Sequence, residues 1–172
     1  MEKGGKIKEL GGASLEKSTE ILHAAFGKVA EQFGITRENA PVYAAFTTVQ
    51  KMNEMRDRGA VFYGYFTGRK QVGTVALEKR ENGSSPFKGE YFMERLGVLP
   101  EYWHSGIGRD MVDYVIGRAR ELGVKKLFLA MVNENKVLKK WYEDMGFKEV
   151  TIRKFEGLPF SVCFMAIDIS RS

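Results

Sequence analysis

The chain has 172 residues, 44% of them hydrophobic and 28% charged, with 27 lysines and arginines against 22 aspartates and glutamates for a formal net charge of +5. This is globular composition at a length that can bury its own core, which excludes a disordered segment and a disulfide-stapled miniprotein; with no apolar run of spanning length it also excludes a transmembrane helix. Residues 1–172 read as a single domain. Met1–Leu10 carries lysines but no apolar stretch of the kind a secretory signal needs, and the lone cysteine, Cys163, fits a reducing compartment, so the expected location is cytoplasmic. No Cys/His spacing suits a metal. The positive excess suits an anionic ligand. Without a basic arm or a basic-aromatic run, neither nucleic acid nor a membrane is expected as a partner, and a homodimer is left open.

Ile7–Leu10 reads as a short first strand, broken by Gly11-Gly12. Ser14 is placed to cap a helix whose stripe is Leu15, Leu22, Ala25, Phe26, Val29 and Phe33, with Gly34 as its stop. A second helix is expected after Asn39, with Pro41 in its first turn, a stripe of Val42, Ala45, Phe46, Val49 and Met52, and an end near Gly59. Ala60–Phe66 and Gln71–Lys79 form a hairpin about Thr67-Gly68-Arg69, Asn82–Pro86 makes a further turn, and Tyr91–Leu99 is a third strand. A helix follows Gly106, with Ile107, Met111, Val112, Val115, Ala119 and Leu122 on one face. Lys125–Val132 is a central strand, Asn135–Met145 a short helix, and Phe147–Phe155 with Ser161–Ile169 two last strands. The order β-α-α-β-β-β-α-β-α-β-β implies an α/β fold with a mixed sheet.

Trp103-His104-Ser105-Gly106-Ile107-Gly108-Arg109 carries the strongest chemical signal. Glycines at the start of a helix clear side-chain bulk from amides that have no intrahelical partner, and the positive end of the dipole favours an anion such as a pyrophosphate. His104, Ser105 and Arg109 can add charge or hydrogen bonds. The bland reading is a glycine-eased loop that only starts a helix. It is neither a P-loop nor the dinucleotide fingerprint, because the lysine of the one and the third glycine of the other are missing.

The flanking residues narrow the reading. Leu96-Gly97-Val98-Leu99-Pro100, Glu101-Tyr102, the Gly106-x-Gly108 loop, and a block from Asn135 through Trp141-Tyr142-Glu143 to Gly146-Phe147 stand in the order and spacing of the GNAT-type N-acetyltransferases. The resemblance is detailed over residues 91–147. It implies a mostly antiparallel central sheet flanked by helices and splayed into a V-shaped cleft for acetyl-CoA. It implies that Leu96, Gly97 and Val98 offer backbone groups to the pantetheine arm, that the segment from Trp103 to Arg109 holds the pyrophosphate, and that Asn135 contacts the cofactor side of the cleft. Trp103 departs from the Gln or Arg usual there, and Leu138 from the usual Ala.

Amide formation from a thioester needs a proton donor for the leaving thiolate and an acceptor for the amine proton. Tyr142 matches the family's general acid; on its own it would read as a half-buried helix aromatic. The base is Glu94 or a water. The family's glutamate position is Phe92 here, and regular alternation puts Glu94, Leu96 and Val98 on one face with Arg95 on the other. An ion pair of Glu94 with a neighbour is the competing assignment. Cys163 reads as a buried strand residue and His23 as structural or exposed. The expected function is acetyl transfer to a primary amine of a small molecule or peptide, with specificity set by the loops Ile35–Pro41 and Glu156–Pro159. The alternative is a CoA-binding sensor with weak chemistry.

Overall fold

The computed structural model describes residues 5–81 and 87–170; the expected turn at Asn82–Pro86 lies outside them. The elements are β1 Lys6–Glu9, α1 Glu16–Phe33, α2 Val49–Asp57, β2 Val61–Thr67, β3 Lys70–Lys79, β4 Tyr91–Val98, α3 Ile107–Glu121, β5 Lys126–Val132, α4 Lys136–Asp144, β6 Lys148–Lys154 and β7 Ser161–Asp168. No helix among the described residues is long and apolar enough to cross a membrane.

Two helix starts differ from expectation. Leu15 rather than Ser14 occupies the N-cap of α1, and Ser14 Oγ accepts from the Glu16 amide at 3.2 Å. The helix ends at Gly34 (φ 64°), as expected. The second helix starts later. The Thr36 and Asn39 side chains each accept the other's backbone amide, at 3.1 and 2.8 Å, and so close a turn. A 3₁₀ turn at Ala44–Phe46 follows, and Thr48 caps α2 by accepting from Lys51 N. Local side-chain-to-backbone bonds outcompete the helical pattern here. Val42, on the expected stripe, is 69% exposed.

Seven strands form one sheet in the order β1-β2-β3-β4-β5-β7-β6. β4 and β5 run parallel, joined by the α3 crossover, and the other neighbours are antiparallel. On one face Met111, Val112, Val115 and Ala119 of α3 pack with Val72, Val75, Met93, Val98, Leu129 and Met165. On the other, Leu15, Leu22, Met52 and Met55 of the α1–α2 layer cover Phe62 and Ala76.

β4 changes phase midway. Gly97 pairs with Thr74 and Glu94 with Ala76, so Arg95 and Leu96 together oppose the single residue Val75. This is a β-bulge, and Arg95 takes φ 55° in it. Met93 and Val98 are five residues apart, which in an unbroken strand would put them on opposite faces, yet both pack on the α3 side. A Cβ on Gly97 would meet Leu22 and Ala25 of α1. Glu94 therefore lies on the α1–α2 face with Phe92, while Leu96 and Val98 lie on the α3 face. The expectation that Glu94, Leu96 and Val98 share a face is thus corrected: one inserted residue resets the period-two alternation.

Candidate active site

β4 and β5 pair only at Tyr91↔Leu127 and Phe92↔Phe128. Beyond that point neither strand has a partner across the gap, and the sheet opens into a V. Ala130, in the middle of the central strand β5, is exposed. Continuing the register by two residues sets Glu94 across the opening from Ala130. The Leu99 amide donates to Val72 of β3, so the Val98 backbone groups next to it face away from β3, into the opening.

The open end of the V leads to the start of α3. Gly106 occupies the N-cap with φ 88°, no side chain caps the helix, and a Cβ there would meet nothing within 4 Å. The first amides of α3 thus stand uncapped beside open space, which is what an anion cradle requires. His104 also has positive φ (63°), and Ser105 Oγ donates to the Tyr102 carbonyl, which fixes the turn. The Ile107 side chain is buried beneath the cradle, whereas Arg109 and His104 are exposed beside it. The two glycines have separate jobs. Gly106 supplies the left-handed turn, while a Cβ on Gly108 would come within 3.3 Å of the Trp141 ring of α4. The small residue at 108 lets α4 dock.

Besides Ser105, three expected cofactor contacts are already engaged in hydrogen bonds. Trp103 Nε1 donates to the Val98 carbonyl at 2.7 Å, one of the groups expected to be free. Asn135 Oδ1 accepts from Leu138 N at 3.2 Å as the N-cap of α4. Tyr142, on the same helix, is buried against Trp141 and Phe147, with ring centroids at 5.0 and 5.5 Å. Burial raises its phenol pKa and keeps the proton on the oxygen. Tyr142 and Glu94 therefore flank the V from opposite faces of the sheet.

Glu94 is in an ion pair. Arg80 reaches Oε1 through Nη2 at 2.6 Å and Nε at 3.2 Å, and its guanidinium lies 3.7 Å from the centroid of the Phe92 ring. The partner is Arg80, just past the end of β3, rather than the adjacent Arg95. Burial raises the Glu94 carboxyl pKa, but a hydrogen bond with Glu78 and the Arg80 charge outweigh it and hold the group below the ordinary carboxylate range. The loops after α1 and between β6 and β7 do meet: Ile35, Ala40, Tyr43, Leu158 and Phe160 pack in one cluster with Val132 of β5. A larger cavity of about 480 Å³, lined by Lys79, Tyr91, Lys125 and Lys126 among others, lies at the closed end of the V, away from the cradle.

Residues 22–147 match the Acetyltransferase (GNAT) family. The chain belongs to that family. The fold of this GNAT chain is similar to that of the ribosomal-protein-S18-alanine N-acetyltransferase from Escherichia coli, with TM-score 0.73 and 19% identity over 98% of this chain and 96% of that one. It is also similar to a GNAT acetyltransferase from Elizabethkingia anophelis with acetyl-CoA bound, with TM-score 0.69 and 15% identity over 97% and 99%. In sequence it is 28% identical over 141 residues to the mycothiol acetyltransferase of Propionibacterium freudenreichii subsp. shermanii, covering 80% of this chain and 41% of that protein. The chain spans 40–41% of the length of the curated relatives it matches.

The GNAT pattern does not reveal Glu78 of β3, which lines a cavity with Glu94, or Arg58, which pairs with Glu78. The sequence holds one signal for Glu78: a single carboxylate in the otherwise uncharged run Gln71–Glu78, where a buried charge needs a partner.

Proposed function

We propose that this chain is an acyl-CoA-dependent N-acetyltransferase that acetylates a primary amine of a small molecule or peptide by direct attack. The observation that carries the reading is the splay between β4 and β5, which opens onto the uncapped start of α3. Bound acetyl-CoA would supply an activated thioester acyl group. The amides at Gly106, Ile107 and Gly108 would hold its pyrophosphate, with Arg109 and His104 at the rim, and the backbone of Leu96–Val98 would align the pantetheine arm. Trp103 would yield its bond to Val98 or share that carbonyl. Asn135 serves first as the cap that fixes α4.

The opposed placement of the two candidate groups supports direct transfer. Glu94, on the α1–α2 face, would take the proton of the incoming ammonium, directly or through water. Tyr142, on the α3–α4 face, would give its phenolic proton to the departing sulfur; with its pKa raised by burial of the residue, the phenol stays protonated at neutral pH and so is available to donate. The two loops that meet at Val132 would shape the acceptor's entry. The relatives named for mycothiol and for an alanine of ribosomal protein bS18 are consistent with an amine acceptor of either size.

The test is Tyr142→Phe, assayed by thiol release over a panel of amines and by CoA binding. Turnover is expected to fall about a hundredfold or more with binding nearly unchanged. An equal rate would remove Tyr142 from the mechanism. CoA binding by the unmodified chain with no turnover of any amine would favour the sensor instead.

A further inference from the structure

β3 is buried continuously from Gln71 to Glu78, and Glu78 is the single carboxylate in that run. Its side chain is 5% exposed. A carboxylate in that position is costly without partners, and it has two. Arg58, just past α2, approaches Oε1 through Nε at 2.5 Å and Oε2 through Nη2 at 3.4 Å. The second is Glu94 on the neighbouring strand: Glu78 pairs with Phe92 and Glu94 with Ala76, so the two carboxyl groups stand one diagonal step apart and line the same cavity. Two like charges so placed cannot both form cheaply, which favours a proton on one of the two carboxyl groups.

The surroundings decide which one holds it. Arg80 grips Glu94 with two nitrogens, and Arg95 of β4 adds a second positive charge near it. Glu78 is also held by two nitrogens of Arg58 and feels Arg95, but the Arg58 guanidinium is half exposed and shared with Glu94 and with Glu54 of α2. Burial, then the contact with Glu94, push the Glu78 carboxyl up to about 7. Below about pH 7 Glu94 is thus the ionised member and Glu78 the protonated one. A cavity of about 310 Å³ opens on both and is lined by Arg58, Glu78, Lys79, Arg80, Glu81 and Glu94. It joins the pair to solvent on the α1–α2 face.

We propose that Glu78 is a proton-relay residue that works through Glu94, passing to solvent by way of this cavity the charge equivalent of the proton Glu94 takes from the acceptor ammonium. The inference rests on the acetyltransferase reading above. Only protons move. An N–H bond of the ammonium breaks as an O–H bond forms on Glu94, and the O–H bond of Glu78 breaks as its proton passes to water in the cavity. Glu94 then passes its proton to the neighbouring Glu78, and the pair is back at its starting charge. The arrangement answers a difficulty in the site. A carboxylate held ionised by Arg80 and Arg95 is a weak proton acceptor near neutrality, and a neighbour that releases its own proton to the cavity near the working pH becomes the stronger acceptor for the proton Glu94 has taken.

Two measurements on the whole chain test this. The first needs no substrate: infrared titration of the carboxyl band across neutral pH, for the unmodified chain and for Glu78→Gln. A carboxyl titrating near neutrality is expected in the first and not in the second. The second is the pH dependence of kcat/KM for an accepted amine. Glu78→Gln is expected to lose the near-neutral limb and at least about tenfold in rate, with the KM for acetyl-CoA retained. A Glu78→Gln protein with the original limb and rate overturns the relay alone. Should that variant fail to fold, Glu94→Gln leaves Glu78 in place, and its band is expected to move to lower pH; an unmoved band overturns the pairing. If the unmodified chain binds acetyl-CoA and acetylates no amine, the transferase reading itself is overturned, whatever the band does.

Discussion

Trp103→Phe isolates a single hydrogen bond at the opening of the V. The indole nitrogen donates to the Val98 carbonyl at 2.7 Å, and that carbonyl faces the gap rather than β3. Phenylalanine keeps much of the ring and removes the donor. A bond of this kind contributes about 1 kcal/mol net, and because Trp103 is 39% exposed, water replaces part of it, so the folded state should lose about 0.5–1 kcal/mol. For CoA the sign reverses. A pantetheine arm that must displace the indole gains that amount when the indole is gone, which corresponds to binding about two- to fivefold tighter. Titration calorimetry with CoA and urea unfolding of the same preparations measure both quantities. Weaker CoA binding by Trp103→Phe would refute the reasoning and show that the ring contacts the ligand instead of guarding the carbonyl.

Further expectations concern the cradle, the cap and pH. Gly106→Ala places a side chain at φ 88° and should cost about 1–2 kcal/mol; Gly108→Ala sets a helix-propensity gain of up to about 1 kcal/mol against a contact at 3.3 Å with a movable indole, so it should be the milder of the two in thermal denaturation. The reverse order would refute the division of labour between the glycines. Asn135→Ala should lower stability by about 1 kcal/mol through loss of the α4 cap, and urea unfolding would show it. The Glu78 carboxyl is raised from 4.5 to about 7 on folding, so the stability it contributes is complete below about 4.5 and lost as pH rises through about 7. Glu94 is shifted the other way, and its contribution is lost as pH falls. Unfolding measured across the neutral range should therefore show stability declining with pH in the unmodified chain relative to Glu78→Gln; a parallel pair of curves would contradict the assignment.

The strands were legible because their sequence texture is strong. Val61–Thr67 and Lys70–Lys79 carry runs of Val, Tyr, Phe and Thr about a Thr67-Gly68 turn, and the apolar Leu127–Val132 marked the central strand. The start of α2 was not legible, because the competition between a helical stripe and the Thr36–Asn39 and Thr48 side-chain bonds is settled by a few atoms. The uncapped helix start at Gly106 was readable from the sequence, though not that Gly108 serves Trp141. The bulge at Arg95 was hidden, since nothing local distinguishes an inserted residue from continued alternation, and the face of Glu94 depends on it. The Arg58–Glu78–Glu94–Arg80 arrangement joins residues from three parts of the chain, which only the folded sheet brings together.

Cys163 is the only cysteine of the chain, sits in the interior strand β7 and has no accessible surface. Burial also raises its pKa, so little of it is nucleophilic thiolate. A colorimetric reagent that reports liberated sulfhydryls should thus see the product of turnover with almost no background from the polypeptide. A slow baseline drift in the same cuvette would signal opening of the sheet around β7, so one trace would record both catalysis and breathing.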